Sequence, residues 1–416
     1  MTTATIARPR TLRATPPATT PAPIDLLSLY TDPDTCPTDA LKPVPLIEEK
    51  AFVAWQKDIP REYLHLAPEE LDRRIREARA YLGKRLVILG HHYQRDEVIQ
   101  YADFTGDSFK LAQHAAAQRE AEFVVFCGVH FMAESADILT PETVKVMLPN
   151  MAAGCSMADM ANPDDVYAAW DDINEALGGQ GKVIPVTYMN SAASLKAFVG
   201  QRGGLVCTSS NARKTLEWAF ERGEKVLFFP DQHLGRNTGY DMGIPLDQMV
   251  LWNWRKPFGG LTVEQIERAK VILWQGHCST HQRFSVEQIE KARRDHPGVN
   301  VIVHPECRRE VLEAADDNGS TEKIIRQVSE APAGSTWAVG TEINLVNRLA
   351  HANPDKTVFC LDPVVCPCST MYRIHPAYIA WVLEGLIAGH VVNEITVDAE
   401  TRKWSLVALE RMLAIV

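Results

Sequence analysis

No part of the 416-residue chain approaches the ~18 consecutive apolar, uncharged residues that a membrane-spanning helix needs. The longest candidate, 146–158, is broken by Pro149 and Asn150. Positive charge is not in excess either: 43 Lys and Arg stand against 53 Asp and Glu, a net charge of -10. That balance speaks against a protein that coats nucleic acid. Cysteine is sparse and odd in number, with nine residues and no C-x₂-C pair. A disulfide scaffold and a zinc ribbon built from two local pairs are both excluded. The phosphate-binding pattern G-x₄-G-K-[ST] is missing, so ATP is not implied. No apolar segment of the kind found in secretory signals follows Met1. The expected setting is therefore cytoplasmic and reducing, with free thiols.

What is present is ordinary globular composition, 46% apolar and 23% charged. At roughly 150 residues per domain, the length suggests two to three domains. Residues 1–45 differ from the rest. Thr, Ala and Pro dominate 11–23, so a disordered tail is expected. Arg8, Arg10 and Arg13 with no acid before Asp25 follow the charge pattern of a transit peptide, but Ser is absent until Ser28. From about 65 onward, an amphipathic helix over Pro68–Tyr81 is followed by ten short Val-, Ile- and Phe-rich runs. They are Leu86–Leu89, Phe123–Phe126, Val144–Leu148, Val183–Thr187, Leu205–Cys207, Val226–Phe229, Val271–Trp274, Val299–Val303, Trp337–Val339 and Thr357–Leu361. Helix-like stretches such as Phe109–Gln118, Ala212–Arg222, Val286–Arg294 and Glu342–Ala350 lie between them. Continuously apolar strands alternating with helices predict an α/β fold with parallel sheets covered on both faces.

Each run ends in polar or titratable residues, among them His91-His92-Tyr93, Tyr188-Met189-Asn190 and His304-Pro305-Glu306. In open α/β sheets the carboxyl ends of the strands are where ligands bind. The spacing also repeats. Tyr93 to Cys155 is 62 residues, Glu306 to Cys368 is 62, and Asn190 to Cys278 is 88, with 236–262 as an insertion. Three similar units around a pseudo-threefold axis would bring these ends together.

Cys155, Cys278 and Cys368 are each followed by Ser and surrounded by small residues. Soft thiolates suit zinc, copper(I) or an iron–sulfur cluster. Three separated thiolates would hold three irons of a [4Fe–4S] cluster and leave the fourth open. The plainer reading is three buried cysteines, as expected for Cys127, Cys207, Cys307 and Cys360. Asp107-Ser108, Thr208-Ser209-Ser210 and Gly319-Ser320-Thr321 precede helical stretches, so each reads first as an N-cap and, compatibly with that, as an anion site. His304 with Glu306 is a pair suited to proton transfer. His92 and His130 are expected to be satisfied by backbone carbonyls. Glu342 reads as a first-turn helix acid.

Taken in order, Gly-His-His-Tyr-Gln, Ala-Asp-Phe-Thr-Gly-Asp-Ser, Phe-Met-Ala-Glu, Gly-Cys-Ser-Met-Ala, Tyr-Met-Asn-Ser, Cys-Thr-Ser-Ser-Asn-Ala, Pro-Asp-Gln-His-Leu-Gly, Gly-His-Cys, His-Pro-Glu-Cys, Gly-Ser-Thr, Gly-Thr-Glu and a late Cys-x-x-Met resemble the quinolinate synthase family over about 65–415. The resemblance implies three similar three-layer α/β/α domains around a central active site. The expected boundaries are 65–150 plus 369–416, 151–265 and 266–368. It implies one [4Fe–4S] cluster per chain on Cys155, Cys278 and Cys368. Where some members carry C-x-x-C-x-x-C, this chain has Cys366-Pro367-Cys368, and the spacing to Met371 favours Cys368. It implies condensation of iminoaspartate with dihydroxyacetone phosphate to quinolinate, with L-aspartate oxidase or aspartate dehydrogenase as the functional partner. Glu306, His304, Tyr93 and His91 match catalytic positions. Tyr188, Asn190, Ser108, Ser209, Ser320 and Thr321 match substrate-binding positions. An aconitase-like hydro-lyase and a non-enzymatic iron–sulfur sensor are the alternatives.

Overall fold

Three sheets carry the same strand order, and this repeat organises the chain. The computed structural model describes residues 43–49, 56, 58–179, 183–364 and 367–415. The expected tail, apart from 43–45, lies outside the described residues, as do Cys36 and Cys366. The first sheet holds β1 (Leu86–His91), β2 (Phe104–Gly106), β3 (Phe123–Cys127) and β4 (Lys145–Met147). The second holds β5 (Val183–Tyr188), β6 (Leu205–Cys207), β7 (Lys225–Phe229), β8 (Met249–Trp252) and β9 (Val271–Trp274). The third holds β10 (Asn300–Val303), β11 (Asp317–Asn318), β12 (Thr336–Gly340) and β13 (Thr357–Cys360), and β14 (Glu394–Ile395) returns to the first. The orders are β14-β4-β3-β1-β2, β6-β5-β7-β9-β8 and β11-β10-β12-β13. Leaving out β14 and β8, each reads second–first–third–fourth.

All pairings are parallel except that of β14 with β4. The central strands are buried on both faces: all of β5, β7 and β9 is inaccessible, which is why they read as unbroken apolar runs. In such an order the connections from the first strand leave in opposite directions, which opens a crevice at the carboxyl ends of the first and third strands. Gly340 is needed at that edge, because a Cβ there would lie 2.7 Å from Val303 Cγ1 of the neighbouring strand.

Two expected boundaries move. Strand β9 pairs with β7 and β8, so the second sheet runs to Trp274 and not to 265. The 236–262 insertion supplies β8, an outer strand, and the chain must come back to lay β9 between β8 and β7. The C-terminal segment is also divided. Helix Pro376–Ile387 packs on helix Pro68–Leu82, and β14 extends the first sheet. The last helix, Ala399–Ala414, packs instead on helix Ala193–Gln201 of the second unit. Ser405 Oγ donates to Ala193 O at 2.7 Å and Arg411 Nη1 to Gly204 O at 2.6 Å. No helix among the described residues is long and apolar enough to cross a membrane.

Candidate active site

Equivalent strand ends from the three sheets line one cavity. It encloses about 620 Å3 of empty space, its open mouth included. The ends of the first strands bring His91 and Tyr93, Tyr188 and Asn190, and His304 and Glu306. The starts of the helices after the second strands bring Ser108, Ser209 and Thr321, and the loops after the fourth strands bring Cys155, Cys278 and Cys368. Ser320 alone of the expected site residues is not among the lining. Its side chain caps helix Thr321–Glu330 by accepting from Lys323 N, which holds Thr321 at the cavity wall. Asp107 caps helix Ser108–Ala117 in the same way, through Lys110 N at 2.9 Å, and its other oxygen accepts from Ser210 Oγ at 2.8 Å. Val129, Phe131, Met132, Phe109 and Met371 form the apolar part of the wall.

Glu306 is the centre of the polar network. One carboxylate oxygen accepts from Tyr188 Oη at 2.5 Å, and the other lies 2.7 Å from His281 Nδ1. An ionised carboxylate can only accept, so Nδ1 of His281 carries the proton. Its Nε2 lies 3.1 Å from Thr341 Oγ1, and Tyr93 Oη lies 2.8 Å from the same hydroxyl. Burial alone would raise the Glu306 pKa, but His304, His281 and the two hydrogen bonds outweigh it, and the carboxyl is held below the usual range. Burial pushes His91 and His304 down to about 3, so both stay neutral. Each accepts a backbone N–H on Nδ1, from Tyr93 at 3.1 Å and Glu306 at 3.3 Å, and Nε2 is left as the donor. The two tyrosines are raised well above their ordinary value, first by burial and then by Glu306.

The thiols fit a metal centre better than a nucleophile. Burial pushes Cys155 up to about 12 and raises Cys278 and Cys368, and the three thiols repel one another as anions. A thiolate in such a place needs a cation, and bound metal reverses this pKa order. Another donor grouping, Cys278, His281 and Glu306, has its ligand atoms within 4.8 Å of one another. Its imidazole and carboxylate are already bonded to each other, whereas the three thiols are free of disulfides.

Sequence reasoning missed His281 and Thr341. Thr341 stood in the quoted motif Gly-Thr-Glu, and His281 follows the quoted Gly-His-Cys by three residues, both at strand ends. Glu342 does cap its helix, accepting from Asn344 N at 2.8 Å, but it also accepts from Cys368 N at 3.1 Å and so ties the cysteine loop to β12. His92 turns from the expected carbonyl to Glu322, 2.8 Å from Nε2, and His130 Nδ1 lies 3.7 Å from Glu134. Cys127, Cys207 and Cys307 are buried in the cores as expected.

The chain was compared with known proteins on this basis. A family model described as quinolinate synthetase A protein matches residues 73–414. A Corynebacterium glutamicum protein named quinolinate synthase is 62% identical over 361 residues, which cover 87% of this chain and 91% of that one. Proteins of the same name from Rhodopirellula baltica and Streptomyces coelicolor are 55% and 58% identical, covering 85% and 83% of this chain and 93% and 88% of their own. With sheets, strand-end residues and cysteine loops in the order its motifs require, the chain belongs to the quinolinate synthetase A family.

Proposed function

We propose that the protein joins iminoaspartate to dihydroxyacetone phosphate and releases quinolinate, phosphate and two waters, a step of NAD biosynthesis. Atoms balance in that reaction without an oxidant, so the site must move protons rather than electrons. The observation that carries the reading is the presence of three thiols and the Glu306 network on one cavity wall. The names of the relatives support it.

Cys155, Cys278 and Cys368 would hold one [4Fe–4S] cluster, which when bound supplies an iron without a protein thiolate, able to act as a Lewis acid. The rest of the work falls to the chain's own groups. Ser108 and Thr321 open ten-residue helices, whose N–H groups and partial positive charge suit phosphate and carboxylate oxygens. Ser209 and Asn190 add neutral hydrogen-bonding groups. Among the described residues no Lys or Arg lines the cavity, so anion binding there depends on these groups. His91 and His304, kept neutral, donate through Nε2 to a carbonyl or carboxylate without placing a charge beside the thiols. Glu306 is the base: ionised and fixed by Tyr188 and His281, it takes a proton from a substrate carbon and returns it to a departing hydroxyl. Tyr93, on the opposite side of Thr341, is a second proton donor. The apolar wall excludes water from the reacting carbons.

Iminoaspartate is unstable in water, and L-aspartate oxidase or aspartate dehydrogenase would supply it in the cytoplasm. A cluster sensor needs no buried base, and nothing in the cavity favours a citrate-type substrate. The test is an anaerobic incubation with both substrates. Quinolinate and phosphate should form in equal amounts, and only when both are present. Dehydration of citrate, or no quinolinate from a cluster-loaded chain, would contradict the proposal.

A further inference from the structure

Pro-Asp-Gln-His-Leu-Gly, residues 230–235, places no side chain on the cavity wall. Yet the helix it opens, Gln232–Asp241, reaches from the second unit to the turn that carries Glu306. The helix is fixed to its own sheet. Asp231 caps it by accepting from Leu234 N, and Gln232 N donates to Gly276 O at 2.9 Å. Gly235 lets it lie close on β7 and β9, since a Cβ there would be 2.6 Å from Leu273 Cδ2 and 2.7 Å from Phe228 Cδ1.

The other face of the helix meets the third unit. Asn237 is buried, and its Nδ2 donates to Pro305 O and to Cys307 O, each at 2.9 Å. Both partners are carbonyls, which only accept, so it is the amide nitrogen that faces them. They are the carbonyls on either side of Glu306. Asn237 Oδ1 has no hydrogen-bond partner among the described residues, so that turn is where the side chain is anchored. One helical turn earlier, His233 Nε2 lies 2.7 Å from Gln282 Oε1. Gln282 adjoins His281, which holds the Glu306 carboxylate. Residues four apart share a helix face, so one face supports both members of the Glu306–His281 pair. The turn's own bonds are Cys307 N to His304 O at 3.0 Å and Glu306 N to His304 Nδ1 at 3.3 Å. Neither engages the two carbonyls that Asn237 holds.

We propose that Asn237 is a positioning residue for Glu306: its amide straddles the turn and fixes the carboxylate where Tyr188 and His281 meet it, without touching substrate. The proposal rests on the reading of Glu306 as the base. Removing the two N–H donors leaves two buried carbonyls unpaired, and the turn must shift to satisfy them. A misplacement of ~1 Å can lower a rate by ~10²-fold.

The test compares Asn237→Leu, of nearly the same shape but with no donor and no charge, with Asn237→Ser, which keeps one donor. Asp241→Asn is the control, because Asp241 lies on the same helix and pairs with Arg309 at 3.2 Å across the same seam, at the surface. On anaerobic, cluster-loaded protein, Asn237→Leu should lower kcat by ~10–100-fold. KM for both substrates, iron and sulfide should stay at wild-type values. Asn237→Ser should fall between, and the control should match wild type. In a Glu306→Gln background, Asn237→Leu should cause no further loss, because a residue acting only through Glu306 has nothing left to position. Hydrogen exchange of the peptide spanning 304–307, read by mass spectrometry, should quicken in Asn237→Leu and not in the control. Unchanged kcat or unchanged exchange in Asn237→Leu overturns the proposal. So does an equal further loss in the Glu306→Gln background, or a rise in KM alone. Unfolding or cluster loss in both Asn237 variants overturns it too, since the requirement would be structural. If the wild-type chain makes no quinolinate, the reading of the base fails, and the exchange measurement still decides whether Asn237 holds the turn.

Discussion

Tyr188 and Glu306 come from different sheets and share a 2.5 Å hydrogen bond, the phenol at the end of β5 donating to the carboxylate beyond β10. The other Glu306 oxygen faces His281 Nδ1 at 2.7 Å. The carboxylate is thus held from two sides by groups that can each pass a proton.

Replacing either member of that pair should stop chemistry without emptying the site. Tyr188→Phe and Glu306→Gln are each expected to lower kcat by ~10²–10⁴, the usual range for losing a general acid or base. Iron and sulfide content should stay at the wild-type level. Steady-state rates on cluster-loaded protein check this, and near-normal turnover in Glu306→Gln would remove it as the base.

The cysteines should separate into two classes. Cys155→Ala should lose the cluster and its visible absorption. Cys127→Ala should keep both, because Cys127 is buried within β3 in the core and does not line the cavity. The reverse pattern in an iron assay would overturn the ligand assignment.

Packing of the last helix on the second unit leads to a stability prediction. A Cβ on Gly200 would lie 2.0 Å from Trp404 O. At an open helix site Gly→Ala stabilises by ~0.4–1 kcal/mol. Here the sign should invert, with Gly200→Ala costing ~1–3 kcal/mol as the two helices are forced apart. A urea midpoint at or above wild type would contradict the packing.

Acid should destabilise the fold through its buried imidazoles. His375 donates from Nε2 to Val44 O at 2.9 Å and accepts from Ala377 N at 3.1 Å on Nδ1. Burial lowers its pKa from 6.5 to about 3. Burial does the same to His91 and His304 and lowers His233 to about 4. Above 6.5 both folded and unfolded forms are neutral and nothing is lost. As pH falls from 6.5 toward 3, the unfolded chain takes up protons that the folded one refuses, so stability declines. His375→Asn, which keeps an acceptor for the helix cap, should flatten that decline. Urea midpoints measured between pH 7 and 4 give the slope for both proteins.

All ten apolar runs are strands; in central ones such as β5, β7 and β9, burial on both faces writes them as apolar runs rich in Val, Ile and Phe, whereas β13, at an edge, is only partly buried. The strands that were not legible are edges. β2, β8, β11 and β14 are two to four residues long, and β11 is Asp317–Asn318. Their place is fixed by pairing with a neighbour and not by their own composition. The thiols and first-strand residues were legible because unusual residue types gathered after each strand. His281 and Thr341 were not, since their role exists only through Glu306 and Tyr93, brought in from other sheets. Ser320 and Thr321 looked alike in sequence, and only helix geometry separates the capping residue from the one at the wall.

Iron and acid-labile sulfide on anaerobically purified full-length protein, read together with its visible spectrum, test the central claim most directly. The account predicts about four of each per chain, falling together in Cys155→Ala. Zinc without sulfide, or no metal after reconstitution, would contradict it and leave the three thiols as structural residues.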